Sequence, residues 1–329
     1  MGTEIVALDV AHGNSTLITR NSHSVLIDAP AGALVGEVLH ELGVSKLDSI
    51  VISHADTDHM GGVANLLLDE RLQIENIYLN SDATKTQSVP GRAWTHLALA
   101  LADSMTRGAT NVDVGVKRGD SIAIGDPAVR IEVLAPTLEL VILAAGGRDE
   151  DGHTIDSNTV SIVVRVWSDD EPFALVPGDL DALGLQHLMD CGGDLNAEVL
   201  IFPHHGGGSG GDNTDFASRL CDAVAPNRVV FSHGRSTRWM NPLPEIMAGV
   251  RASRPDAKVS CTQLSRRCSE LPISSPFSGD PLAAGASSGS CCAGSIVFSS
   301  TGGISPLDDD HDQFVRDNVP TPLCFEPQI

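Results

Sequence analysis

Residues 53–62 read "SHADTDHMGG", and His54, Asp56, Asp58 and His59 crowd into six consecutive positions. Imidazole and carboxylate are ligands for Zn, Mn and Fe, so the run reads as a metal-binding loop. The simpler alternative is that Asp58 caps a helix and its neighbours are ordinary loop polars. Four ligand residues placed directly after an apolar strand favour the metal. The Gly61-Gly62 pair lets the backbone approach closely.

Three later stretches repeat the pattern of an apolar run ending in a polar ligand type. "FALVPGDLD" (173–181) ends at Gly178-Asp179, where a helix cap is the rival reading of Asp179. "VLIFPHHGGGSGG" (199–211) carries His204-His205 into a glycine-rich loop, and "RVVFSHG" (228–234) delivers His233. Ligand candidates at the ends of successive strands would meet at one sheet edge, where α/β architectures place their sites.

The elements that must position them follow from apolar periodicity. Strand-like runs lie at 4–10, 15–20, 24–29, 47–53, 74–79, 121–124, 129–134, 159–167, 173–177, 198–202, 228–232 and 293–300. Helical spacing appears at 31–42, 63–67, 92–105 and 181–189, around Phe216 and Leu220, and at 243–252. Strands in both halves with helices between them predict two facing sheets covered by helices, an α/β (α+β) class. The main unit is expected over 1–270. A Ser/Gly/Pro-rich surface loop is expected at 271–290, and 291–329 should supply a returning strand and a solvated acidic tail containing "DDDHD".

The chain has 329 residues, with 43 Asp+Glu against 21 Lys+Arg, a net charge of −22. Such a surface repels polyanions and argues against a passive nucleic-acid-binding module. The N-terminus lacks the basic and apolar regions of a signal peptide, and no apolar run approaches the ~18 residues of a membrane span. These features predict a cytoplasmic protein with no membrane partner. Seven cysteines, an odd number, fit reduced thiols. Cys261, Cys268, Cys291 and Cys292 lack zinc-knuckle spacing, so buried thiols or an occasional disulfide are expected there rather than a second zinc site.

The order of these motifs resembles the metallo-β-lactamase fold superfamily over roughly residues 4–255. "LDVAHGNSTLI", "VLIDAP", "SHADTDHMGG", "NTVSIVV", "PGD", "PHHGG" and "NPLPEI" follow one another as in the metallo-β-lactamase-like domain of ComEC-type competence proteins. The resemblance implies an αββα sandwich of two mixed sheets with a one- or two-metal site at the sheet edges. It makes Asp56, in the second slot of a HxHxDH pattern, a mark of the HxDxDH branch and points away from a β-lactamase. It also implies a site with two divalent ions, Zn or Mn with Mg as a further option. His54 and Asp56 would hold one ion, Asp58, His59 and His205 the other, with Asp179 as the bridge. His204 would face the substrate, and the two neighbouring histidines could exchange roles.

Asn158 falls in the third ligand slot, with His153 a possible substitute, and His233 stands where generic members keep a last ligand. Arg235 and Arg238 could grip a phosphate, Trp239 could stack on a base, and His12 could reach the metal mouth or stay on the surface. The expected activity is phosphoester hydrolysis by a phosphodiesterase or nuclease acting on DNA or a nucleotide. A small-molecule phosphoesterase of the phosphorylcholine-esterase kind and a non-catalytic metal-stabilised binding protein are the alternatives.

Overall fold

A computed structural model describes residues 2–87, 91–273, 277 and 282–325. The first six strands are β1 (Glu4–Ala7), β2 (Thr16–Arg20), β3 (His23–Ile27), β4 (Lys46–Val51), β5 (Gln73–Leu79) and β6 (Asn111–Val114). A second sheet takes β7 (Ser121–Ile122), β8 (Val129–Ala135), β9 (Val163–Ser168), β10 (Glu171–Val176), β11 (Val199–Ile201), β12 (Arg228–Phe231) and β13 (Lys258–Cys261). The chain then returns to the first sheet with β14 (Ile296–Ser299) and β15 (Ile304–Ser305). Among the described residues the orders are β15-β14-β1-β2-β3-β4-β5-β6 and β13-β12-β11-β10-β9-β8-β7. Both sheets are mixed: β3 to β6 and β10 to β13 run parallel, and the other pairings are antiparallel.

Side-chain alternation along the strands builds the layers. Val25 and Ile27 of β3 face inward with Val51, against Val164, Val176, Ile201 and Val230 of the second sheet. Leu26, between them, faces the other way, onto the helices α1 (Leu34–Glu41), α2 (Thr57–Met60), α3 (Val63–Leu68) and α4 (Gly91–Thr106). A short α5 (Leu138–Leu143) follows β8. The outer face of the second sheet is covered by α6 (Ala182–Asp190), α7 (Asn213–Val224), α8 (Pro244–Ser253) and α9 (Asp308–Asn318). This is the expected sandwich of two mixed sheets flanked by helices. Among the described residues no helix is long and apolar enough to cross a membrane.

Three local expectations change. The strand expected at 159–167 begins only at Val163; residues before it form a loop whose Ile162 amide donates to the Ser53 carbonyl at 2.8 Å. The acidic "DDDHD" is not a solvated tail but the first turn of α9. Asp308 accepts both guanidinium nitrogens of Arg228 at 2.8–3.0 Å, Lys258 pairs with Asp312, and His311 is 2% exposed. The Ser/Gly/Pro-rich stretch falls partly outside the described residues. Its described end docks inward, with the Ala284 and Gly285 amides donating to the carbonyl and carboxylate of Asp9.

None of the seven cysteines, all among the described residues, is in a disulfide. Cys261, Cys268, Cys292 and Cys324 line a small cavity with Val315 and Leu323 beneath α9. Burial pushes their thiols up, that of Cys324 to about 12, so they remain protonated and act as small apolar groups. Among the described residues no cysteine joins a group spaced to hold a metal.

Residues 291–299 help to tie the two sheets together. Residues 291–293 pair along the end of β13, with the Cys292 amide donating to Thr262 and the Ala293 amide to Cys261. Three residues after Ala293 the same segment becomes β14, paired with β1 of the other sheet.

If α9 belongs to the core, truncating Phe314 must open a cavity. Phe314→Ala should cost about 3–5 kcal/mol, read as a lowered urea midpoint at unchanged slope. A solvated tail would show no change.

Candidate metal centre

The site lies where parallel strands of both sheets end. Asp28 follows β3, His54 follows β4, Asp179 follows β10, His204 and His205 follow β11, and His233 follows β12. Neither aspartate in the two cap readings serves as a cap. The α2 cap position is Asp56 with no side-chain capping bond, and α6 is capped by Asp181, whose carboxylate accepts the Gly184 amide. Asp58 and Asp179 are free for other work.

Two turns deliver the second-sheet ligands. Gly178 has a φ of +59°, and a Cβ there would sit 2.7 Å from the Ser53 Cβ, so only glycine lets the two sheet ends close up. His204 and His205 both adopt left-handed backbone, with φ of 51° and 56°, a conformation that costs of order 1–3 kcal/mol per non-glycine residue and clusters at functional sites. It turns His205 inward, 3% exposed, while His204 lines the open pocket.

The side chains then converge. His59 Nε2 lies 3.1 Å from Asp179 Oδ1 and 3.3 Å from His205 Nε2. His205 Nε2 lies 3.5 Å from Asp179 Oδ2 and 3.6 Å from Asp58 Oδ2. His54 Nε2 lies 3.5 Å from Asp56 Oδ2 and 3.9 Å from Asp179 Oδ2. Two overlapping triads have ligand atoms spaced to hold a cation: His54, His59 and Asp179, and Asp58, His59 and His205. Buried His54 Nε2 has no hydrogen-bond partner, a cost that a bound cation would remove. The donor set fits divalent metal ions.

Behind the ligands, the orienting bonds are short. Asp28, fully buried, accepts from the Ser53 amide at 2.7 Å and the Ser53 hydroxyl at 2.8 Å. Its Oδ2 also stands 2.7 Å from His59 Nδ1, a carboxylate–histidine pair that turns Nε2 toward the cluster. His205 Nδ1 donates to the Ser232 carbonyl at 2.8 Å, with the same effect.

Burial alone would neutralise these groups, but their mutual charges prevail. Burial pushes Asp179 up, while His59 and His205 hold it well below the ordinary carboxylate range. Burial likewise opposes the charged imidazoles, while Asp179 and Asp28 lift His59 well above its usual value and Asp179 and Asp58 lift His205. For Asp56, burial pushes up but His54 and Lys85 bring it to about 2. Protons held on the two imidazoles must leave before those nitrogens can bind a metal.

A pocket of about 750 Å³ opens over the cluster, lined by His12, Asp56, Asp58, Asp179, His204, His205 and Trp239 among others. His12 Nε2 reaches Asp58 Oδ2 at 3.2 Å and its ring stacks 6.1 Å from that of Trp239. Arg238 lies over the Trp239 ring at 4.4 Å.

Other predicted residues lie apart from the triads. Arg235 does not reach for a phosphate: its guanidinium is consumed by the carbonyls of Leu264, Ser265 and Ser269. His153 is exposed and paired with Asp149 at 2.9 Å. His233 is buried with Nε2 unpartnered, and burial pushes it down to about 4. Asn158 holds a buried, unpartnered Oδ1 on the loop beside Ser53.

Asp28, Ser53 and Lys85 were not singled out from the sequence. The only sequence signal for Asp28 is its place at the polar end of the apolar run in "VLIDAP"; the parallel register of Ile27 with Val51 is what sets it beside the start of the histidine motif.

A family model described as the metallo-beta-lactamase superfamily matches residues 8–211. The chain is 27% identical over 253 residues to competence protein ComA of Neisseria gonorrhoeae, covering 75% of this chain and 29% of that protein. It is 25% identical over 209 residues to ComE operon protein 3 of Bacillus subtilis, covering 62% of this chain and 22% of that protein. The chain thus spans less than a third of the length of either relative. Among solved structures, Igni18, a metallo hydrolase of Ignicoccus hospitalis, aligns with a TM-score of 0.46 at 17% identity, covering 78% of this chain and 94% of that one. A diphosphatase from the PhnP family aligns with a TM-score of 0.39 at 11% identity, covering 70% and 86%.

Two sets of variants test the centre. Asp58→Ala and Asp179→Ala should each lower the metal retained after gel filtration, measured by elemental analysis; full occupancy in both would remove them from the ligand set. Asp28→Asn touches no ligand atom directly, yet should weaken metal affinity about 10–100-fold in a chelator competition, because His59 loses its orienting charge.

Proposed function

Because this chain belongs to the metallo-beta-lactamase superfamily, we propose that it is a metal-dependent hydrolase of phosphoesters, cleaving a phosphodiester in a nucleotide or nucleic acid. The observation that carries the reading is the convergence of three carboxylates and three imidazoles at one open sheet edge, with His54 Nε2 buried and unpartnered among them. Oxygen-rich ligation is hard, which suits Mn or Mg beside Zn. His54, Asp56 and Asp179 would hold one cation; Asp58, His59, His205 and the bridging Asp179 would hold the other.

When bound, a pair of such cations supplies a water of lowered pKa and positive charge for the attacking and leaving oxygens. The protein's own share is positional. Asp28 and the Ser232 carbonyl fix the tautomers of His59 and His205, so both present Nε2 to the cluster. His204 lines the pocket and carries a buried, unpartnered Nδ1; it is the group suited to hand a proton to the leaving alkoxide. Pro30, Ala31 and Leu243 add an apolar part to the pocket wall.

One observation favours small phosphodiesters over long polyanions. The pocket lining contains no lysine or arginine among the described residues, and the chain carries a charge of −22. A clip that only stabilised a binding protein would not need a 750 Å³ opening above its ligands.

A substrate panel with Mn, Zn or Mg separates these readings: bis-p-nitrophenyl phosphate, cyclic nucleotides, RNA, and single- and double-stranded DNA. Turnover that chelator abolishes is expected; no turnover from a metal-loaded protein would leave only the binding-protein reading. His204→Ala should lower kcat about 10²–10⁴-fold on alkyl-leaving-group diesters. The same variant should lose far less on the p-nitrophenyl ester, whose leaving group needs no proton.

A further inference from the structure

Of the six residues predicted as ligands, Asp56 alone lies outside both metal-spaced triads. Its Oδ2 stays 3.5 Å from His54 Nε2, but its Oδ1 is held by the ammonium of Lys85. Among the described residues, Lys85 is the one lysine or arginine in ion-pair range of a ligand carboxylate.

This placement is built into the fold. Lys85 sits on the helical turn Ala83–Gln87. That turn is anchored by Asp82, 3% exposed, which accepts the Thr84 amide at 2.8 Å, the Thr84 hydroxyl and the Ser157 hydroxyl. Ser157 in turn adjoins Asn158, on the loop whose Ile162 amide is bonded to Ser53. The lysine therefore reaches the cluster from a turn tied to the same loop that flanks the histidine motif.

We propose that Lys85 is an internal counter-cation that competes for Asp56, so that the two metal positions are unequal: the one using His54 and Asp56 binds weakly and exchanges, and the one using Asp58, His59 and His205 binds tightly. The inference rests on the two-cation reading above. Asp56, Asp58 and Asp179 carry three negative charges, and Lys85 already offsets one of them. A divalent ion entering beside His54 must either displace the ammonium or share the carboxylate with a like charge, and both weaken it. An ammonium on a flexible four-carbon stem can swing away, so the opposition is reversible. The second position meets no lysine or arginine: among the described residues the ion-pair partners of Asp58 are the imidazoles of His12 and His205.

Titration with Mn(II) alone, followed by calorimetry and by electron paramagnetic resonance, tests this without reference to turnover. The wild-type chain should bind one ion tightly and a second in a separate, weaker step. In Lys85→Met the weaker step should tighten about 10–100-fold, the scale of an altered ligand partner, while the tight step stays put. Lys85→Arg, which keeps the charge, should keep the two steps apart. Equal steps in the wild type, or a weaker step unmoved in Lys85→Met, would overturn the role of Lys85. Absence of even the tight step would overturn the metal centre itself.

Discussion

A carboxylate with no exposure to water governs the architecture of this site. Asp28, buried from water, needs partners for both its oxygens, since a buried polar group left unpaired costs about 2–7 kcal/mol. It meets that demand with the Ser53 amide, the Ser53 hydroxyl and the His59 ring. Those three bonds join the end of β3 to the end of β4 and to the first turn of α2. The histidine motif is therefore not a loose loop carrying ligands. It is a strand end clamped at its base, with His59 already aimed.

From that clamp the rest of the centre follows by topology. Parallel strands deliver their following residues to one edge, and two sheets packed face to face bring two such edges together. His54 and His59 come from the first sheet, Asp179 and His205 from the second. The gap between them is set by small residues and unusual backbone, with Gly178 against Ser53 and the left-handed pair His204-His205. Local strain of a few kcal/mol is held in place by apolar packing on both sides, including Phe231 against Gly206.

Much of this was legible in the residues. Apolar runs ending in His, Asp or Gly-Asp marked the strand ends, because a buried parallel strand must be apolar and its exit must be polar. What escaped had weaker local signals. Lys85 lies in "ATKTQ", a run without period, and only tertiary folding brings it to Asp56. The role of Asp28 needed the parallel register of β3 and β4. In α9 the acids of "DDDHD" drew attention to solvent. Yet acids in a first helical turn are favoured by the helix dipole, and His311, Phe314 and Val315 form a buried face at helical spacing. Arg235 looked available from the sequence because nothing local reveals that three carbonyls consume it.

The segment that pairs first with β13 and then with β1 has a mechanical meaning for the centre. Stacked sheets can slide along one another, and a slide of even an ångström would change every distance that spans them, such as His59 to Asp179 at 3.1 Å. A covalent strap of this kind, hydrogen-bonded into both layers, resists that shear as a cross-lace resists the slip of two panels. The rigidity of the histidine–aspartate cluster at one end of the sandwich is then partly a property of a stretch of chain that contributes no ligand candidate to it.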